Sequence, residues 1–135
     1  MSYYSINQSG NGFYEKSGSK FFSFIFPCKT IDDLNARLKD IKEKYKNASH
    51  FCYAYSFKSK QLVAEYSSDA GEPRGSAGLP ILNEIRSSKL INIAICVARV
   101  FGGKKLGISG LIKAYSLASH ASIKDVQHIP WIEKD

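Results

Sequence analysis

Residues 90–101, LINIAICVARVF, carry apolar side chains everywhere except Asn92 and Arg99. The run is rich in Ile and Val and does not alternate, so it reads as a strand apolar on both faces, at the centre of a sheet. Immediately after it, GGKKLGISG (102–110) packs glycines around two lysines. A helical pattern over 109–122 follows, with Leu111, Ala114, Tyr115 and Ala118 on one side and Ser109 placed to cap it. Strand, glycine turn and helix therefore follow one another without a spacer.

The rest of the chain extends this core in both directions. Thr30 and Asp33 form a capping-box pattern ahead of Ile31, Leu34, Leu38, Ile41 and Tyr45, spaced by threes and fours, which predicts a helix over 30–46. HFCYAYSF (50–57) alternates strictly and predicts a hairpin with QLVAEYS (61–67) across Ser59 and Lys60. The loop SDAGEPRGSAG (68–78) leads to a short helix over 78–88 with Pro80 in its first turn. Residues 2–6 and 20–28 read as strands joined by a Gly-, Ser- and Asn-rich connection. The pattern predicts an α/β domain of the α+β two-layer type: one mixed sheet with helices near 30–46, 78–88 and 108–123 on one face.

Composition bounds the function. The 135 residues suit one domain, and 44% hydrophobic with 23% charged residues is a globular balance. Nineteen Lys and Arg against 12 acids give a net charge of +7, which favours phosphate-rich or acidic partners. Cys28, Cys52 and Cys96 are odd in number and far apart, which fits a reducing, cytoplasmic setting better than a disulfide framework or zinc site. FFSFIF is too short to span a membrane, and no motif calls for a cofactor or metal. No sequence feature sets an oligomeric state.

Several residues could carry function. From Ile85 through Lys124 there is no Asp or Glu, while Arg86, Lys89, Arg99, Lys104, Lys105, Lys113 and Lys124 occur. That one-sign block suits a phosphate backbone, with Arg74, Arg99, Lys104, Lys105 and Lys113 as the partner-binding set. The strand aromatics are read as packing pairs rather than base-stacking platforms. His50 and Cys52 share a strand face and could form a thiol–imidazole pair, and Asp69 with Glu72 could act as acid and base. If the two glycine-rich loops meet, Glu72 or Asp69 would pair with Arg99 and shape the turn.

Two long blocks, SDAGEPRGSAGLPIL and INIAICVARVFGGKKLGISGLIKAY, resemble the signature of the IMPACT (YigZ, UPF0029) family, and ASHFCYAY resembles its histidine–cysteine strand. The matching loop residues include Asp69, Gly71, Glu72, Pro73, Gly75, Ser76 (for the usual threonine), Gly78, Phe101, Gly102, Gly103, Gly107 and Gly110. Ala70, Val100 and Ser109 depart from the pattern. The resemblance implies a fold like domain IV of elongation factor G and a role in translation or stress regulation. It also implies RNA, the ribosome or a translation-related protein as partner. The family's usual ferredoxin-like C-terminal domain has no counterpart in these residues, so 1–135 reads as a single N-terminal-type domain. The expected function is a non-enzymatic binding module. The alternative is a small hydrolase or thiol enzyme using Cys52/His50 or Asp69/Glu72.

Overall fold

The computed structural model describes residues 2–60 and 62–132. In chain order the elements are β1 (Tyr4–Ser5), β2 (Gly10–Lys16), β3 (Ser19–Pro27), α1 (Ile31–Lys44), β4 (His50–Lys58), β5 (Val63–Ser68), α2 (Gly78–Ser88), β6 (Ile93–Val100), α3 (Gly107–Lys124) and β7 (Ile129–Pro130). Five strands form one sheet in the order β2-β3-β6-β4-β5, while β1 and β7 pair separately. Every pairing in the five-stranded sheet is antiparallel, so the α+β class holds but the sheet is not mixed.

The strand inferred from residues 90–101 is the sheet's centre, and each residue from Ile91 to Arg99 is buried. Its side chains divide by parity. Ile93, Ile95 and Val97 join Phe21, Ile25, Cys52 and Ala54 beneath α2 and α3. Ala94, Cys96 and Ala98 join Phe26 and the Leu34, Leu38 and Ile41 stripe of α1.

Helices therefore cover both faces of the sheet, which corrects their expected placement on one face. The physical reason lies in the strands themselves. β6 is apolar on both sides, and β3 sets Phe21 and Ile25 on one side against Phe22, Phe24 and Phe26 on the other. Such strands need cover on both faces, since fully burying each large apolar side chain contributes about 1.5–3 kcal/mol over leaving it in water.

A local signal accounts for the start of α1. The Thr30 hydroxyl accepts a hydrogen bond from Asp33 N–H, as the capping pattern predicts, and Asp32 and Asp33 favour the positive end of α1. Ser109 does not cap α3; the helix begins at Gly107, after Leu106, with no side-chain cap. The connection expected after the first strand instead contains β2, an edge strand lying under α3. Gly12 makes this possible: a Cβ there would sit 2.5 Å from Ser122 N and 2.7 Å from Ala121 Cβ. The glycine that makes the segment look like a loop is what lets the helix approach the strand. No helix among the described residues is long and apolar enough to cross a membrane.

Candidate functional site

The antiparallel register sets His50 of β4 and Phe21 of β3 on either side of Arg99 near the end of β6. All three side chains sit on the α2/α3 side of the sheet, by parity with Cys52, Val97 and Ile25. The β5–α2 loop folds over this row and brings Glu72 down onto it. Arg99 Nη1 donates to both Glu72 carboxylate oxygens, each at 2.9 Å. Tyr115 of α3 donates its hydroxyl to Glu72 Oε2 at 2.5 Å, and His50 Nε2 stands 3.6 Å from Oε1. Both members of the ion pair are buried, with side-chain exposures of 7% for Arg99 and 3% for Glu72.

The sequence expectation that an acid of the first loop pairs with Arg99 is met by Glu72. The same geometry corrects the place of Arg99 among the partner-facing cations. It is internal, with its guanidinium 5.6 Å from the Phe21 ring centre and 5.4 Å from that of Phe101. A buried arginine held by a carboxylate and two rings organises the site rather than reaching into solvent.

Asp69 has a different role. Its carboxylate accepts N–H bonds from Gly75, Ala77 and Gly78 at 2.8–3.2 Å, and so caps α2 from outside that helix. Burial alone would raise its pKa, but these three donors and Arg74 bring it below the ordinary carboxyl value. The Ser76 hydroxyl turns inward to the Pro73 carbonyl. The loop is thus internally bonded, and its two acids hold different parts of it.

Cys52 is fully buried and donates toward the Asp69 carbonyl at 3.1 Å and the Tyr115 hydroxyl at 3.4 Å. Burial, above all, pushes its thiol up to about 12, with the carboxylates of Glu72 and Asp69 adding to the effect. His50 Nδ1 lies 2.9 Å from the Ala70 carbonyl, an acceptor, so that nitrogen carries the proton. A sealed thiol with a high pKa is a poor nucleophile, and Glu72 already has its donors. The thiol and both carboxylates are thus bonded internally, and His50 alone of the four is part exposed at the cleft.

Above this floor lies a cleft of about 400 Å³, whose lining includes His50, Pro73, Phe101, Lys105, Leu106 and Ile108. Phe101 and Ile108 are 50% and 59% exposed at its mouth. The β6–α3 turn forms one wall. It is tied back by Gly102 N–H, which donates to the buried Ser19 hydroxyl at 3.1 Å. Gly102 also lies against Gly18 so closely that a Cβ would fall 2.0 Å from the Gly18 carbonyl carbon.

Arg74, Lys104, Lys105 and Lys113 are all exposed. Lys105 lines the cleft, Arg74 follows its Pro73 wall, and Lys113 stands on the outer side of α3. Among the glycines, Gly71 approaches the His50 ring, Gly75 and Gly78 donate to Asp69, Gly103 and Gly107 bracket the two lysines, and Gly110 lies within α3. Tyr115 and Ser19 were absent from the expected site set. The signal for Tyr115 was one hydroxyl in an otherwise apolar helix stripe, because a buried phenol needs a partner.

The fold and site define a class: an α+β domain in which two glycine-rich loops close over a buried carboxylate–guanidinium pair and form a cleft. The chain belongs to the IMPACT family, and residues 17–123 match the Impact N-terminal domain. It is 32% identical over 114 residues to the IMPACT family member YvyE of Bacillus subtilis, covering 84% of this chain and 52% of that protein. An IMPACT family member of Haemophilus influenzae is 32% identical over 129 residues, covering 94% and 63%. A crystal structure of a hypothetical protein superposes with a TM-score of 0.87 at 25% identity, covering 96% of this chain and 64% of that one. The chain thus spans between half and two thirds of the length of these proteins.

Proposed function

We propose that this domain is a non-enzymatic binding module that contacts RNA, in a role connected with translation, through the turn bearing Lys104 and Lys105. The observation that carries this reading is the division of labour at the site. The acids and the thiol that could do chemistry are bonded internally. The lysines stand exposed on a turn tied to the sheet by the Gly102 N–H bond to the Ser19 hydroxyl.

Lys105 lines the cleft, Lys104 and Arg74 are exposed beside its lining residues Lys105 and Pro73, and Lys113 lies further along α3. Exposed cations attract a phosphate backbone, and a net charge of +7 adds long-range attraction. The free, buried thiols of Cys28, Cys52 and Cys96 suit a reducing cytoplasm.

The test is a titration of labelled single-stranded RNA over a series of salt concentrations. Each neutralised phosphate contributes about −0.7 to the log–log salt slope on single strands. Lys104→Ala with Lys105→Ala should weaken binding and reduce the slope by about 1.4, while leaving the fold intact. Absence of binding at low salt, or binding indifferent to the double variant, would refute the assignment.

A further inference from the structure

From the cleft beside the lysine turn, we infer that the domain binds unpaired nucleotides, with one base stacked on Phe101 and its flanking phosphates on Lys104 and Lys105. This rests on the RNA-binding reading above and adds to it the strandedness of the ligand and the group that recognises it.

Three observations carry the inference. Phe101 is half exposed at the mouth of the cleft, yet its ring is held 5.4 Å from the guanidinium of buried Arg99. A solvent-facing ring with a fixed orientation is a pre-formed platform, and every base has a face that can stack on one. Second, the Arg99 and Glu72 charges that line the cleft are paired with each other, so its floor suits an uncharged planar group. Third, the walls are apolar and the rim is cationic, with Lys105 in the lining and Lys104 next to it. That suits a planar group flanked by phosphates. The volume, about 400 Å³, accommodates a group of nucleoside size.

A duplex keeps its bases stacked inside the helix and could use only the lysines. The inference therefore predicts a preference for single strands that depends on Phe101. The experiment uses the full 135-residue chain with three probes: a uracil-rich single-stranded RNA, an RNA duplex of equal length, and inorganic polyphosphate, which has no bases. Phe101→Ala should lower single-strand affinity by about 5- to 150-fold, the range found on removing one base–aromatic stack. It should leave duplex and polyphosphate binding, and the salt slope, unchanged. Phe101→Tyr should restore the affinity, and thermal unfolding of each variant checks that the fold persists.

If single strands bind but Phe101→Ala does not weaken them, the inference fails while the RNA-binding reading stands. If no RNA binds at low salt, both fail. If an acidic, hydrophobic peptide binds in a Phe101-dependent manner and competes with single-stranded RNA for the cleft at lower concentration, the occupant is a protein segment and the base assignment is overturned.

Discussion

Replacing Glu72 with alanine removes the acceptor on which the site is built. Arg99 would remain buried with a side-chain exposure of 7%, and Nη1 would lose both oxygens that it now reaches at 2.9 Å. Removing one partner of a buried ion pair costs about 3–5 kcal/mol, because the other charge is left without compensation. Tyr115 would lose its acceptor as well, a further cost of about 1–3 kcal/mol if the phenol finds no substitute. These contributions overlap, so the expected loss is about 4 kcal/mol, a large share of the roughly 5–15 kcal/mol that stabilises a typical domain. For a chain of this size the melting temperature should fall by about 10–20 °C. Urea unfolding followed by circular dichroism measures the loss directly. The double variant Glu72→Leu with Arg99→Met removes both charges and should recover most of it, since an apolar replacement of a buried pair is often neutral. A loss below about 1 kcal/mol for Glu72→Ala, or a double variant worse than either single one, would refute the reasoning.

Three further outcomes follow from the geometry. Gly102→Ala should destabilise by about 3 kcal/mol or more in the same unfolding assay, because its Cβ would overlap the Gly18 backbone rather than a movable side chain. Asp69 has a lowered folded-state pKa, so the unfolded chain binds its proton more readily. Its contribution is present above the ordinary carboxyl value near 3.8 and lost as pH falls through the lower folded value, and Asp69→Asn should flatten the acid limb of a stability–pH curve. Cys28, Cys52 and Cys96 are 2%, 0% and 0% exposed, and burial holds Cys28 at about 11 and Cys52 at about 12, so a thiol reagent at neutral pH should label none quickly until denaturant is added.

Much of this arrangement was legible from local pattern. The Thr30 cap, the alternating β4 strand and the central β6 strand each follow from signals within a few residues. The placement of α1 was not, because an amphipathic stripe says that a helix packs on something but not on which face of a sheet. The decisive clue was the second apolar face of β3 and β6, whose Phe26, Ala94, Cys96 and Ala98 had to be covered. β2 was hidden because Gly10, Asn11 and Gly12 carry turn composition, and the reason for Gly12 lies more than a hundred residues away at Ser122. At the site, the glycine pattern and the family resemblance marked the two loops but left open which of Asp69 and Glu72 pairs with Arg99. It did not separate the buried cation Arg99 from the exposed Lys104 and Lys105, because burial depends on register with β3 and β4.

The most direct test of the account is an amide nuclear magnetic resonance titration of the isotopically labelled domain with single-stranded RNA. The account predicts that shifts concentrate at residues 101–108 and around Arg74, while the β4–β5 face beside α1 stays unchanged. Shifts centred on that opposite face, or none at low salt, would contradict the claim that the turn tied back to Ser19 is the contact surface.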